Sequence, residues 1–158
     1  MKNFEVQKLL EFLTSSHSAQ IKCAVAVHVK IQQNIEILKE EIENLKQLRD
    51  NFIQPTEESV QYDQKRLELL EPYTLKLNNT LQIIPGFEEE VKTKLKDFNQ
   101  NYKDLLTDVY LQKQNWNDFF YSEDSPVKLH LIDLNDLSLP NDMPKESFDA
   151  LYLMIKKD

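Results

Sequence analysis

The sequence predicts an all-α protein, an elongated antiparallel bundle or coiled coil of about three long helices. Only one of its 158 residues is Gly, although Gly normally makes up about 7% of a protein. Hairpin turns, Rossmann folds and P-loops depend on that residue, so those folds are disfavoured. Apolar residues recur at intervals of three and four through most of the chain, which is typical of amphipathic helices. The length suits one domain or one elongated module.

The first elements are a short amphipathic helix over residues 3–14 and a long helix over residues 21–52. No Pro or Gly interrupts the long helix, and its apolar residues follow a seven-residue repeat. One column of the repeat holds Ile21, His28, Ile35, Ile42 and Arg49, and the other holds Ala24, Ile31, Leu38, Leu45 and Phe52. Ile in one column and Leu in the other predict the seam of a coiled coil.

This seam is the predicted binding surface for partner helices. The residues expected to contact the partner are Ile35, Leu38, Ile42 and Leu45. Glu41 and Lys46 lie beside them and are expected to form ion pairs across the interface. His28 occupies a core column, where a polar residue more often sets register or partner choice than catalysis.

A second long helix is predicted to begin near Pro55. Pro is tolerated in a first helical turn, and the acids Glu57 and Glu58 complement the helix dipole there. The three-and-four spacing then continues across Pro72 to Ile84. The pattern leaves two alternatives at Pro72: the helix kinks, or a new helix starts with this residue in its first turn.

A third long helix is predicted after the sharp turn at Pro85-Gly86. Its apolar positions alternate by four and three, with one polar exception: Val91, Leu95, Phe98, Tyr102, Leu105, Val109, Gln112, Trp116 and Phe119. Phe120 and Tyr121 lie off this seam. We therefore expect these two aromatic residues to contact another chain or the tail, since aromatic side chains dominate interface energies.

The pattern divides the chain into a helical module, residues 1–121, and an acidic tail, residues 122–158. Alternation of Val127, Leu129 and Leu131 with polar residues predicts a short extended segment. A final helix is predicted over about residues 145–157, and the tail is expected to dock on the bundle or on a partner. Ser125, followed by Pro126 in an acidic context, is a predicted site of proline-directed phosphorylation.

Residues with catalytic or metal-binding chemistry are sparse. The chain has three His and one Cys, and none of the His follows an acid by three residues as in di-iron bundles. No HExxH, GxSxG or CxxC motif occurs. Cys23 and His28 do not suffice for a zinc site, so a buried Cys and a His in a helix seam are favoured. We expect no catalytic residues, no metal and no cofactor.

Asp63 is the unusual acid of the second helix, because it falls in an otherwise apolar column. Two interpretations stay open. If its carboxylate is buried, it needs a Lys or Arg partner from a neighbouring helix. Alternatively, the residue marks the point where the seam opens to water.

The charge distribution disfavours direct binding to nucleic acid. The net charge is −8, and its excess acids all lie beyond residue 56. The only basic cluster, Lys92, Lys94 and Lys96, follows three Glu, which is typical of a salt-bridged, solvated helix face. No apolar run is long enough to span a bilayer, and no signal-peptide pattern is evident. With a lone Cys, we expect an intracellular protein, cytoplasmic or nuclear.

These features favour a non-enzymatic structural or adaptor subunit of a larger intracellular complex. Its partners would be other helical or coiled-coil proteins, in a hetero-oligomer more often than a homo-oligomer. Kinetochore complexes, Mediator modules and vesicle tethers are assemblies of this class, and no residue selects among them. The alternatives are a peripheral membrane-associated bundle, which the acidic charge disfavours, and a metal-carrying or enzymatic bundle, which the lack of paired His and acids disfavours.

Overall fold

The computed structural model describes residues 1–77, of which Leu77 by its backbone alone, and residues 80–156. The helices and strands are α1 (Asn3–Leu13), β1 (Lys22–Cys23), α2 (Val25–Phe52), α3 (Glu57–Leu70), β2 (Thr74–Leu77), β3 (Thr80–Ile83), α4 (Glu88–Gln100), α5 (Lys103–Ser122), β4 (Leu137–Ser138) and α6 (Lys145–Tyr152). The chain is mostly helical, so the predicted class is broadly confirmed, but small antiparallel strand pairs are also present.

Contacts divide the chain into two compact units. Unit 1 comprises Met1–Asn51 and Asn115–Asp158, and unit 2 comprises Phe52–Gln114. The predicted boundary at residue 121 does not coincide with this division, because the acidic tail packs with the first helices. Unit 1 is therefore assembled from two segments of the chain that are distant in sequence.

The core of unit 1 joins α1, α2 and α6. Its buried apolar side chains are Val6, Leu9, Phe12, Leu13, Val27, Ile31, Ile35, Leu38, Ile132, Ala150, Leu151, Met154 and Ile155. Val127 and Leu129 of the tail pack against this cluster and are partly buried. The tail thus docks on the chain's own helices. Residue 157, where the last helix was predicted to end, lies outside the described residues, and α6 ends at Tyr152.

Extended pairing in unit 1 occurs beyond the segment for which it was predicted. β1 pairs with β4 in antiparallel register, Cys23 opposite Leu137, and Ile132 forms a parallel bridge with Ile155. Residues 127–131 form no strand. A buried side chain supplies the reason, because Asn34 binds the backbone N–H and C=O of His130, which a neighbouring strand would otherwise pair.

Unit 2 begins with α3, whose predicted start is confirmed. Thr56 Oγ1 accepts the Ser59 N–H at 3.1 Å, and Ser59 Oγ accepts the Thr56 N–H at 2.9 Å. This reciprocal cap stabilises the first turn. The predicted continuation of the helix to Ile84 is wrong, although Pro72 does lie in the first turn of a new, short 3-10 segment. The α-helix ends at Leu70, and a 3-10 turn containing Pro72 leads into β2.

β2 and β3 replace the second half of the predicted helix. They pair in antiparallel register, with Leu75 opposite Gln82 and Lys76 opposite Leu81, and the Ile84 N–H donates to the Tyr73 carbonyl at 2.9 Å. Thr and Ile favour extended backbone, and apolar residues also alternate by two in this stretch. The stretch fits both a period of two and the helical spacing, and it adopts the strands that the period of two favours.

The predicted third helix is interrupted. Gly86 adopts a φ of 96° in the expected turn before α4, and this left-handed backbone suits Gly. α4 then ends at Gln100, and the Tyr102 N–H donates to the Asn99 carbonyl in a turn before α5. Asn side chains compete with helical hydrogen bonding, which explains a break beside Asn99 and Asn101. The bundle of three long helices is thus not confirmed.

An aromatic cluster lies beside this break. Tyr62 of α3, Phe98 of α4 and Tyr102 have ring centroids separated by 5.0 to 5.4 Å. The Tyr62 hydroxyl donates to Asn99 Oδ1 at 2.9 Å. These contacts hold α3 against the junction of α4 and α5.

A candidate protein-binding groove

Unit 2 carries a groove of about 810 Å³ between α4, α5 and the end of β3. Its apolar lining residues are Ile83, Val91, Leu95, Leu106 and Tyr110. Val91 and Leu95 are four residues apart on α4, and Leu106 and Tyr110 have the same spacing on α5. Since residues at this spacing share a helix face, each helix contributes an apolar stripe to the groove.

The polar residues that line the groove are mainly basic. Lys92, Lys96 and Lys103 line it, and Glu88 is the one carboxylate among the described lining residues. Lys92 lies 3.7 Å from Glu89 in an exposed ion pair. Lysine stems cover apolar surface while the ammonium groups stay in water. The groove therefore combines an apolar floor with a basic rim, on a chain of net charge −8.

The basic cluster predicted as a solvated face is divided between two roles. Lys94 lies 3.8 Å from Glu90 and 5.5 Å from the Tyr73 ring centroid, away from the groove. Lys92 and Lys96 line the groove instead. Lys92 and Lys94 both form ion pairs of the kind that the sequence pattern predicted, and Lys92 lines the groove as well.

The groove is open to solvent. Val91 forms its floor and is 2% exposed, whereas Tyr110 on its wall is 64% exposed. Pockets for small molecules usually bury most of the ligand's surface. An open trough with exposed apolar walls is better suited to a protein segment, which covers the walls as well as the floor.

The described part of unit 2 buries few of its apolar side chains. Among its described side chains, only Val91 and Leu105 are buried hydrophobic residues. The large apolar side chains that stay exposed are Val60, Leu67, Leu75, Leu81, Ile83, Phe87, Tyr110 and Leu111. Two of them, Ile83 and Tyr110, line the groove, and a contiguous exposed apolar patch is typical of interaction sites.

The predicted partner-binding seam of α2 lies against the chain's own core. Ile35 and Leu38 belong to the core of unit 1, Leu45 is buried, and Ile42 packs against the core partly buried. Their burial thus has an intramolecular cause. Partner binding by these four residues stays a prediction. A partner could contact only the parts of their side chains that the core leaves exposed.

The buried face of α2 includes a column that the sequence prediction missed. Val27, Asn34 and Glu41 are buried at seven-residue spacing, whereas His28 is exposed. Asn34 Nδ2 donates to the His130 carbonyl at 3.0 Å, and Asn34 Oδ1 accepts the His130 N–H at 2.8 Å. The spacing from Val27 was the available signal, but no role was predicted for Asn34, and Glu41 was expected to form an ion pair with a partner helix.

Two other predicted contact residues lie near the end of α5. Tyr121 is exposed, with its ring centroid 5.5 Å from that of Phe4. Phe120 is partly buried and stacks on Trp116 at 5.5 Å. Contact of Phe120 and Tyr121 with a partner stays a prediction.

The polar residues singled out in the sequence have distinct surroundings. Asp63 is exposed, which agrees with the alternative that the seam opens to water there. Cys23 is partly buried. The Lys2 ammonium lies 3.0 Å from the Asp124 carboxylate, and this hydrogen-bonded ion pair holds the pKa of Asp124 below its ordinary value.

No group of three or more His, Cys, Asp or Glu that could hold a metal ion occurs in residues 1–77 and 80–156. In the same ranges, no helix has the length and apolar character needed to cross a membrane. No protein-family model matches the chain, and neither a curated protein nor a solved structure is significantly similar to it. The groove's shape, apolar floor and charge are therefore the basis for a functional proposal.

Proposed function

We propose that the protein is a non-enzymatic structural or adaptor subunit that binds a helix of another protein in the groove of unit 2. The single observation that carries this proposal is an open apolar groove with a basic rim, on a unit that buries little of its own apolar surface. Such a surface is stabilised when a partner covers it. The complex would be intracellular, as the lone Cys suggests.

The two sides of the groove favour a helical occupant. Stripes from α4 and α5 form a trough, and an amphipathic helix fills such a trough with residues at positions i, i+3 or i+4, and i+7. A strand would instead need to pair with the edge of β3 that no described strand occupies, and Ile83 is the one residue of β3 among the described lining residues. The groove is lined mainly by helical side chains, so side-chain packing provides the contact.

The basic rim favours acidic residues on either side of the apolar stripe of the partner helix. Lys92, Lys96 and Lys103 face one lining carboxylate, Glu88, so Asp or Glu beside the partner's apolar stripe would be complementary. Such complementarity raises association rates and excludes basic partners. Two copies of the chain would repel each other, because each carries a net charge of −8. We therefore propose a helix of a different protein as the partner, ahead of a second copy.

A matched pair of variants on α5 tests the groove directly. Tyr110 lines the groove, whereas its neighbour Leu111 is 48% exposed and does not. Tagged Tyr110→Asp, Leu111→Asp and wild-type protein are purified from the source cells, and stoichiometric partners are quantified by mass spectrometry. We expect at least an approximately tenfold loss of partner with Tyr110→Asp and little change with Leu111→Asp.

A defined probe tests the chemistry of the occupant. We would use a designed helical peptide of about three heptads with an apolar stripe flanked by Glu, and a matched peptide flanked by Lys. The wild-type chain should bind the Glu-flanked peptide, with chemical-shift changes at Leu95 and Leu106. Lys96→Glu should weaken it, whereas Lys94→Glu, outside the groove, should not.

Three outcomes would contradict the proposal. Equal losses with Tyr110→Asp and Leu111→Asp would show that the groove is not the contact surface. Dimerisation of the purified chain that Tyr110→Asp abolishes would identify a second copy as the occupant. Sedimentation with anionic vesicles at low salt, lost on Lys96→Glu, would support the peripheral membrane alternative.

A further inference from the structure

The Ser125 hydroxyl binds a buried carboxylate in unit 1. Ser125 Oγ donates to Glu41 Oε1 at 3.0 Å, and Asn44 Nδ2 donates to the other Glu41 oxygen at 3.4 Å. Glu41 is 9% exposed. No ion pair to it is formed by the residues that the structure describes. Neutral donors therefore stabilise this buried charge, and a second anion beside it would be unfavourable.

The backbone on either side of Ser125 is held by the first residues of the chain. The N–H groups of Asn3 and Ser125 donate to the carbonyls of Glu123 and Met1, at 3.1 and 2.8 Å. We call this antiparallel contact between residues 1–3 and residues 122–125 the clasp. Within the clasp, Met1 packs against the apolar core and Asn3 is buried. Hydrogen bonds and the Lys2–Asp124 ion pair hold its outer part.

The local sequence makes Ser125 a suitable phosphoacceptor. Ser125-Pro126 is the only Ser-Pro or Thr-Pro dipeptide in the chain. The flanking residues 122–124 and 126 are exposed, and the segment follows the end of α5. Because a following Pro favours extended backbone, a short opening of the clasp would present Ser125 as an extended peptide.

We propose that Ser125 is a phosphorylation site for a proline-directed protein kinase, and that its modification opens the clasp. In the reaction, Ser125 Oγ attacks the γ-phosphorus of ATP and forms the new P–O bond. The bond to the β-phosphate oxygen breaks, ADP leaves, and the hydroxyl proton passes to a base of the kinase.

The expected effect follows from the exchange of a donor for an anion. Phosphoserine carries about −1.5 to −2 charges at pH 7 and presents mainly acceptor oxygens. In the closed clasp the phosphate would face the Glu41 carboxylate. The two anions would repel each other, whereas the unmodified hydroxyl donates a hydrogen bond to that carboxylate. Lys2 is already paired with Asp124. The modified state therefore favours the open clasp, while core contacts such as those of Leu38 do not involve Ser125.

The test uses the full chain phosphorylated stoichiometrically with ATP and a proline-directed kinase. Intact mass and fragment spectra establish modification at Ser125. Amide hydrogen exchange then compares the modified and unmodified chains. Exchange at the Asn3 and Ser125 amides should accelerate at least about tenfold, whereas the amide of Leu38 should be unchanged.

Two variants separate charge repulsion from loss of the hydrogen bond. Ser125→Ala removes the donor without adding charge, so it should accelerate exchange less than phosphorylation does. In the phosphorylated chain, Glu41→Gln replaces the opposing carboxylate with an amide that donates to phosphate. It should restore most of the protection at Asn3.

Other results would overturn the proposal. One is a kinase that modifies a synthetic peptide of residues 119–131 but never the folded chain. Another is a phosphorylated chain whose Asn3 and Ser125 amides exchange as before. If Ser125→Ala opened the clasp as fully as phosphate, or Glu41→Gln restored nothing, repulsion by Glu41 would not be the cause.

Discussion

Units 1 and 2 differ in how completely they bury their apolar side chains. Unit 1 has one continuous core that joins α1, α2, α6 and the segment around Ile132. Among the described side chains of unit 2, Val91 and Leu105 alone are buried hydrophobic residues. Both units contain amphipathic helices, so amphipathicity does not itself distinguish a closed core from a binding surface.

The difference shows what determines whether an apolar stripe is available to a partner. The stripe of α2 is covered because α6 and residues near Ile132 return to it from the other end of the chain. In unit 2, the stripes of α4 and α5 line an open groove instead. Availability therefore depends on long-range return of the chain, which local periodicity does not encode.

The largest effect should come from the closed core. Leu38 is fully buried in unit 1, so Leu38→Ala should lower the free energy of unfolding by about 2–5 kcal/mol. Leu81 in unit 2 is 49% exposed, and Leu81→Ala should cost no more than about 0.5 kcal/mol. Denaturant unfolding of both variants measures the contrast.

Glu40→Ala is the control on α2, since Glu40 is exposed and lies two residues from Leu38, on the opposite side of the helix. It should leave the unfolding midpoint almost unchanged. Similar losses for Leu38→Ala and Leu81→Ala would contradict the distinction between a closed unit and an open one.

A smaller effect is expected from the polar contact that closes unit 1. Asn34 is completely buried and satisfies both backbone groups of His130. Asn34→Ala would leave them unpaired, at a cost of about 1–3 kcal/mol. Hydrogen exchange at the His130 amide should accelerate, whereas exposed Gln33→Ala should not change it. If the exchange rate of the His130 amide did not change in Asn34→Ala, the two hydrogen bonds of Asn34 would not be what holds the tail.

The smallest effect concerns the clasp of unit 1. The Lys2 ammonium hydrogen-bonds to Asp124 and lowers the pKa of that carboxyl. A lowered pKa stabilises the folded chain above the ordinary pKa, and the contribution is lost as the pH falls through the lowered value. Because Asp124 is exposed, the effect on stability is small.

NMR titration of the Asp124 carboxyl measures how far Lys2 lowers its pKa. Lys2→Ala should return the pKa toward the ordinary value, and high salt should have part of the same effect. An identical titration curve in Lys2→Ala would show that the ion pair is not formed in solution.

Local signals in the sequence predicted helix starts and turns well. Pro55-Thr56 marks the start of α3, and Pro85-Gly86 marks the turn before α4. The physical reason is that capping and turn geometry depend on a few adjacent residues. The strands near Pro72 were missed, because Leu75, Leu81 and their neighbours fit periods of both two and about 3.6.

The groove was less predictable than the helices. Spacing did place Val91 and Leu95 on one face of a helix, but it implied continuation through residue 102. The break at Asn101 depends on competing local hydrogen bonds and on packing of Tyr102 against Tyr62. Similarly, Asn34 and Glu41 were buried by partners that lie 96 and 84 residues further along the chain.

The discontinuity of unit 1 has a consequence for biosynthesis. Asn34 and Met154, which meet in its core, are separated by 120 residues. At typical translation rates, roughly 6 to 24 s pass between their synthesis. During this interval the apolar face of α2 lacks the cover that α6 and the segment around Ile132 provide, although α1 and all of unit 2 can already have been made. Nascent chains should therefore engage chaperones through α2, and chaperone release should follow synthesis of α6.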